Sequence, residues 1–344
     1  SAVWPAFTET VSGISKYEYA IGSSSGGSHV VDWTNNNTDT CVTKAGLTLT
    51  SGTAYYISVK ATDNAENEST TITSDGVIVD TDGPISGTVL DGTSADIDWT
   101  NSTSSLTATW SGFSDTLSGI QKYDYAIGTS SGGTAVVDWT NNTTDTSVTK
   151  SGLTLTNGTT YYLSIRAADN VGNVSTIVTS DGITVDTDVP IISSVSEGYS
   201  TADIDYQNSD TTLIIIWIGS DTASGIAQYE YALGTAAAAS NTVAWTNAGT
   251  TTADTLTGLS LIEDSTYYLS ARATDVAGNL SVVASGDGVT IDLTDPAGTI
   301  VNDGTGDDIA YSGSASTLSA VLSAVSDTLS GIPKYEYAYG SSSG

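Results

Sequence analysis

The sequence predicts an all-β chain, a tandem array of seven-stranded antiparallel β-sandwiches with a repeat of 106 residues. Three observations carry that prediction. The segment Ser-Gly-Ile-x-x-Tyr-(Glu/Asp)-Tyr-Ala recurs with its glycine at Gly13, Gly119, Gly225 and Gly331, each interval being 106 residues. Apolar residues alternate with polar ones nearly everywhere, the period of a strand with one buried face. No segment reads as a helix of useful length, and turn residues return every 8–12 residues or so, the rhythm of a sandwich.

The repeat is read first, because fixed-period self-similarity sets the architecture. Trp33, Trp139 and Trp245 keep the same spacing, as do Tyr55, Tyr161 and Tyr267, and then Pro84, Pro190 and Pro296. The prolines follow acidic strand ends, Val-Asp-Thr-Asp-Gly-Pro84, Val-Asp-Thr-Asp-Val-Pro190 and Ile-Asp-Leu-Thr-Asp-Pro296. Proline ends ladder pairing and holds its predecessor extended, so the boundaries fall there. Residues 84–189 and 190–295 are complete repeats, 1–83 lack the first strand, and 296–344 stop after about three strands. Both ends read as cuts in a longer array.

Within the second repeat each strand can be placed. Leu106, Ala108 and Trp110 alternate with threonine, and Tyr123, Tyr125 and Ile127 form the next strand, ending at Gly128. A Ser/Gly-rich turn leads to Val136–Trp139. Tyr161, Leu163, Ile165 and Ala167 then alternate with Tyr162, Ser164, Arg166 and Ala168, and Ile183 and Val185 close the repeat. Leu213–Ile218 is the most apolar stretch, with strand length rather than the ~20 residues of a membrane span.

Charge excludes several classes of partner. Eight Lys and Arg against 39 Asp and Glu leave a formal net charge of −31. So acidic a surface repels nucleic acid and anionic membranes and attracts cations, so no nucleic-acid partner and no membrane insertion are expected. There is no methionine, and no signal peptide starts at Ser1, as in a processed product or an interior piece. Cys41 is the single cysteine, so no intrachain disulfide can form. It has no counterpart in the other repeats and reads as a buried or idle thiol. The Ser, Thr, Gly, Asn and Asp excess points to an extracellular chain, secreted or on the cell surface.

Leu155-Thr-Asn-Gly-Thr-Thr-Tyr161, followed by alternating apolars and Asp169-Asn-Val-Gly-Asn173, resembles the hallmark of fibronectin type III domains. Leu49, Gly52, Thr53 and Tyr55 match it in the first repeat; Leu261 and Tyr267 match in the third, where Asp264 replaces the glycine. The resemblance implies a tyrosine corner, with the ring packed inward and the hydroxyl bonded to nearby backbone. Trp4, Trp110 and Trp217 resemble the family's core tryptophan, and Leu322 replaces it in the last repeat. The Ser-Gly-Ile, Asp-Trp-Thr-Asn and Asp-Gly-Ile-Thr-Val-Asp-Thr variants are similar to repeats of large secreted bacterial surface proteins, where such domains act as spacers, stalks or fibre segments.

The same resemblance implies a place for the recurring acids. In such a sandwich the loops after the second and sixth strands lie at the pole facing the preceding domain. Asp80 and Asp82 would then meet Asp115, Asp169 and Asn173. At the next junction the set is Asp186, Asp188, Asp221, Asp275 and Asn279, and at the third Asp292, Asp295 and Asp327. Converging oxygens in that number suit Ca²⁺, which takes six to eight oxygen ligands with flexible geometry. The other reading is turn chemistry: Asp and Asn favour these loops because they tolerate the backbone and cap its amides.

Other candidates are weaker. His29 is the single histidine, with Ala135 at its repeat position, and nothing singles out a nucleophile and orienting acid beside it; no enzyme activity is expected. Asp91, Asp96 and Asp98, with counterparts Glu197, Asp203 and Asp205, read as a solvated loop before an ion site. Trp33, Trp139 and Trp245 read as core or intersheet filler before a sugar-stacking platform. Tyr56, Tyr162 and Tyr268 face outward at one spacing, as a lateral stripe or an edge shield. Several Asn-x-Ser/Thr sequons, Asn101 and Asn157 among them, permit glycans.

The expected function is a structural or adhesive segment of an extracellular repeat protein, forming a rod or filament on or around the cell. Its expected partners are further copies in a fibre or matrix, or cell-surface glycans and proteins engaged through domains outside this stretch. Two alternatives stand: spacer domains of a secreted polysaccharide-active enzyme, and a glycan-binding module.

Overall fold

A computed structural model describes residues 1–198, 203–298 and 300–341. Among them every regular element is a strand. The chain divides into two compact units, residues 1–98, 104–153 and 160–183 in one and 99–103, 154–159 and 184–344 in the other.

In the first unit the second repeat builds a three-stranded sheet in which Ser105–Ser111 lies between Thr88–Asp91 and Ser147–Ser151, antiparallel to both. Facing it, Ile120–Gly128 is flanked by Val137–Asn141 and by the long strand Thr160–Asp169, which also pairs Val178–Thr179. The alternation in the sequence sets which side is buried. Leu106, Ala108 and Trp110 of one sheet meet Tyr123, Tyr125, Ile127, Leu163 and Ile165 of the other, all under a tenth exposed. Trp110 packs edge-on against Tyr123 at 5.7 Å, and Phe113 covers the same ring from 5.5 Å. The first repeat copies this with Trp4, Phe7 and Tyr17, and Ala2–Val3 pairs Cys41–Val42.

In the second unit Thr212–Ser220 lies between Ile191–Glu197 and Ala253–Thr257. The opposing sheet sets Ile226–Gly234 between Val243–Gly249 and Thr266–Asp275, and Val289–Ile291 closes on the last of these. Leu213, Ile215, Trp217, Leu233, Leu269, Val289 and Ile291 are almost wholly buried. Trp217 follows Trp110 by 107 residues while Gly225 follows Gly119 by 106, so the third repeat lacks a counterpart of Phe113. There Trp217 packs against both Tyr229, at 6.2 Å, and Tyr231, at 5.5 Å.

The tyrosine corner is present. The Thr50 amide donates to the Tyr55 hydroxyl at 2.9 Å and the Ile262 amide to Tyr267 at 3.1 Å. Among the described residues of the last repeat, Val301–Asp303 and Ala320–Leu322 are the segments that pair as strands. The equivalents of Tyr335 and Tyr337 are core residues elsewhere, yet these two stand 59% and 82% exposed. In the other repeats their strand pairs with the long strand that follows, and no such strand is present among the described residues of 296–344.

The outer tryptophans depart from the expectation of core filler. Asn141 pairs Asp124, which in turn pairs Arg166, and Trp139 lies two residues before Asn141 on that outer face. Its half-exposed ring therefore sits under the Arg166 guanidinium, 4.4 Å from the ring centre. Arg272 covers Trp245 at 4.4 Å and Lys60 covers Trp33 at 5.1 Å. Cation–π stacking on a sheet surface, not intersheet packing, holds these rings.

Candidate metal centres

The sixth strand of each of the first three repeats runs into a tight loop beginning with aspartate and ending with asparagine four residues later. Asp169 Oδ1 accepts the amides of Val171, Gly172 and Asn173 at 2.7–2.9 Å, while Oδ2 accepts Asn173 Nδ2 at 2.8 Å. Asp63 and Asn67 build the same cradle, as do Asp275 and Asn279. Hydrogen bonds from the Asn67 side chain and amide hold the Asp63 carboxyl down at about 2. Burial works to raise Asp169, and the bonds from Asn173, Val171 and Gly172 outweigh it. This is turn chemistry, and at Asp63 and Asp169 it favours the ionised carboxylate.

The linker comes to that cradle. In the first unit Asn173 Nδ2 donates to the carbonyls of Asp80 and Asp82 at 3.3 and 3.2 Å. Asp80 Oδ2 accepts the Ser118 amide at 3.2 Å, and Asp115 Oδ1 accepts the amides of Leu117, Ser118 and Gly119. In the second unit Asn279 Nδ2 donates to the Asp186 carbonyl at 2.8 Å, Asp186 Oδ2 accepts Ser224 N at 3.0 Å, and Asp221 caps Ala223 and Gly225. Farther on, Asp292 Oδ2 accepts Ser330 N at 3.1 Å, and Asp327 caps Leu329, Ser330 and Gly331. A hydrogen bond from the Ser330 side chain is the main influence holding Asp292 below the ordinary carboxylate range; burial opposes it, and the amides of Thr294 and Ser330 add to it.

Asp80, Asp115 and Asp169 each present a carboxylate oxygen to a group spanning no more than 4.8 Å, and so do Asp186, Asp221 and Asp275. Asp82 and Asp188 lie outside these groups: Asp82 is exposed, and Asp188 accepts from Asn157 at 3.0 Å. Asp295 is exposed beside the Asp292–Asp327 pair.

A second kind of cluster lies inside each complete sandwich. Asp91, Asp96 and Asp181 bring carboxylate oxygens within 4.8 Å, as do Glu197, Asp203 and Asp287. The sequence grouped Asp98 and Asp205 here; Asp181 and Asp287 are what arrive, from a break in the last strand between Val178–Thr179 and Ile183–Val185. Gly182 makes that break with φ +108, and a Cβ there would meet Tyr162 at 2.8 Å. Its amide donates to Asp91 Oδ2 at 3.1 Å. Asp91 occupies an inward strand position after Val89 and is wholly buried. Burial is the largest influence raising it to about 6; Asp96 and Asp181 add to it, while Ser180 and Gly182 oppose it. Burial likewise lifts Glu197 to about 7, with Asp203 and Asp287 adding and the Leu269 amide opposing.

The remaining candidates carry little chemistry. His29 Nε2 accepts the Ser23 amide at 3.3 Å and lies 3.0 Å from its hydroxyl, tying down an exposed loop. Cys41 is exposed rather than buried. Tyr56, Tyr162 and Tyr268 are half-buried against Gly76, Gly182 and Gly288, where a Cβ would meet each ring at 2.8–2.9 Å. No helix among the described residues is long and apolar enough to cross a membrane.

A three-stranded sheet facing a sheet of strands three, four, six and seven, with a tyrosine corner, defines a tandem array of fibronectin type III-like sandwiches. No protein-family model matches the chain. Exoglucanase B of Cellulomonas fimi is 29% identical over 263 residues, covering 74% of this chain and 21% of the exoglucanase. The chain thus spans about a fifth of the length of that curated relative. Similar solved structures include the FN1–FN3 domains of chicken CNTN1, with a TM-score of 0.36, 14% identity, and coverage of 80% of this chain and 91% of that one. The fibronectin(III)-like modules of Clostridium thermocellum CbhA give 0.36 and 13%, covering 59% and 94%. A 1.5-MDa bacterial ice-binding adhesin gives 0.40 and 19%, covering 83% and 89%.

Proposed function

We propose that this chain is a structural segment of an extracellular repeat protein, a spacer or filament-forming array whose joints are stiffened by Ca²⁺. The observation that carries the reading is the recurrence of one joint. An aspartate ending one repeat accepts the amide of a serine 38 residues on, as Asp80 with Ser118, Asp186 with Ser224 and Asp292 with Ser330. At the first two joints an asparagine of the following repeat also grips that aspartate's carbonyl.

Charge supplies the reason for an ion. Carboxylate oxygens 4.8 Å apart repel by on the order of 3 kcal/mol per pair at an effective dielectric of about 20, before screening by salt. The amides of the joint offset part of this; a divalent cation would reverse it. Asp80, Asp115 and Asp169 would hold one ion, and Asp186, Asp221 and Asp275 another, with water completing the shell. Asp292 and Asp327 would supply part of a third. Repeats joined this way transmit force along the chain and have no need of a reactive group, so the reading assigns no catalysis. Partners would be further copies of the array, or surface glycans and proteins met by other parts of the parent.

A second reading has its own support. The similarity to an exoglucanase over most of this chain favours a spacer in a secreted polysaccharide-active enzyme. Electron microscopy of the native material, with and without a calcium chelator, separates the two. Ordered fibres that loosen in chelator support the filament with ion-stiffened joints. Isolated strings unchanged by chelator would leave a passive spacer and remove calcium from the joint. Calorimetry with no heat on adding millimolar Ca²⁺ would remove it as well.

A further inference from the structure

We propose that each complete sandwich carries a second cation site, separate from the joints, in which Asp91, Asp96 and Asp181 hold one Ca²⁺ and Glu197, Asp203 and Asp287 hold another. The inference does not depend on the reading of the joints. Clustering of acids would not carry it alone, since exposed aspartates gather in loops without an ion.

The carrying observation is an oxygen with nothing to bond. Asp91 is wholly buried; its Oδ2 accepts from Gly182, and its Oδ1 is buried without a partner. Glu197 is also wholly buried; its Oε1 accepts the Leu269 amide at 2.8 Å, and its Oε2 is buried without a partner. A buried polar atom left unsatisfied forfeits the hydrogen bonds it made to water, and the penalty grows when the group is charged. The same defect at the same place in two repeats with different residues is a feature the fold keeps.

Two agents could relieve it, a proton or a metal ion. A proton neutralises one carboxyl and leaves two aspartates within 4.8 Å of it, still repelling. A divalent cation satisfies the orphan oxygen and neutralises its neighbours together. The donors are all oxygen, with no thiolate or imidazole, which suits a hard cation. Asp96 and Asp181 are exposed, as are Asp203 and Asp287, so water can complete the six to eight positions Ca²⁺ prefers. The turn is already shaped: the Asp91 amide donates to Asp96 Oδ1 at 2.8 Å, and that of Glu197 to Asp203 Oδ1 at 3.0 Å. Asp303 and Asp308 repeat this bond at 3.0 Å in the last repeat.

Such an ion would tie the end of the first strand to the break in the last. That sets its task apart from a joint ion: it closes one sandwich and does not couple two.

The test is calorimetric titration of CaCl₂ into the full chain, with melting followed in parallel. In D91N/E197Q we expect the stoichiometry to fall by one ion per altered cluster and the calcium-dependent rise in Tm to shrink. D169N/D275N should lose joint ions and keep these. Since Asp91 and Glu197 are buried, D96N/D181N, altered on the exposed rim of one cluster, guards against misfolding and should lose a single ion. Unchanged stoichiometry in both D91N/E197Q and D96N/D181N would overturn the proposal, whatever happens at the joints. So would a calcium-dependent Tm rise identical to that of the unaltered chain.

Discussion

The carboxylate of Glu197 occupies the space that a side chain on Gly286 would need, its Oε2 lying 2.6 Å from where a Cβ would stand. One repeat earlier the pair is Asp91 and Ser180. There the Ser180 hydroxyl accepts the Leu163 amide at 3.1 Å; in the third repeat Glu197 Oε1 accepts the equivalent Leu269 amide at 2.8 Å. One methylene added on the first strand is matched by a side chain removed on the last, and the buried amide keeps an acceptor in both.

Gly286→Ala should therefore destabilise the chain by about 1–3 kcal/mol through overpacking alone. Gly286→Ser combined with Glu197→Asp restores the arrangement of the second repeat and should recover most of that loss. Urea midpoints for the two single variants and the double variant give the coupling. Additive effects would mean the two positions do not compensate.

Glu197 should make stability depend on pH in calcium-free buffer. Its carboxyl rises from an ordinary 4.5 to about 7, so the folded chain holds that proton more tightly than the unfolded one. Stability from this group is then full below about 4.5 and falls as pH rises to about 7, by up to about 3 kcal/mol. Glu197→Gln should flatten the curve across that window. A wild-type curve that climbs steadily from pH 4.5 to 7 would contradict the assignment.

Asn279→Ala should weaken the joint more than Asn67→Ala weakens its own loop. Both side chains bond their loop aspartate, but only Asn279 also holds a preceding linker, through the Asp186 carbonyl at 2.8 Å. The difference should be about 1 kcal/mol, one hydrogen bond's net worth. Equal shifts in melting temperature would show that the linker bond contributes nothing.

Tyr267→Phe should cost about 1–2 kcal/mol, because it strands the Ile262 amide that now donates to the hydroxyl. Arg166→Ala should cost about 0.5–1 kcal/mol and shift Trp139 emission to longer wavelength as the ring loses its cover. An unmoved spectrum would mean the guanidinium does not stack on the ring in solution.

Much of this was legible because identical spacing exposes shared roles. Tyr55 and Tyr267 announce the corner, Trp4 and Trp110 the core, and Asp115 and Asp221 the loop that meets the linker. Periodicity also assigns Trp139 to the outer face once Asn141 is known to pair Asp124. Without that register, a large ring in a lean chain reads as filler. The last repeat's tyrosines show the converse, since alternation marks Tyr335 and Tyr337 as inward while no strand among the described residues buries them.

From the sequence alone come the all-β class, the 106-residue period and the acids that recur at each repeat's end, because alternation and repetition are properties of the string. The tertiary structure decided which acids share a site. Asp181 joins Asp91 across 90 residues, and Asp98 does not, because a glycine with positive φ breaks the last strand beside the end of the first. It also decided that Asp91 and Glu197 are buried with an oxygen unpaired. Strand alternation can point a carboxylate inward, but only the packed neighbours determine whether anything is there to meet it.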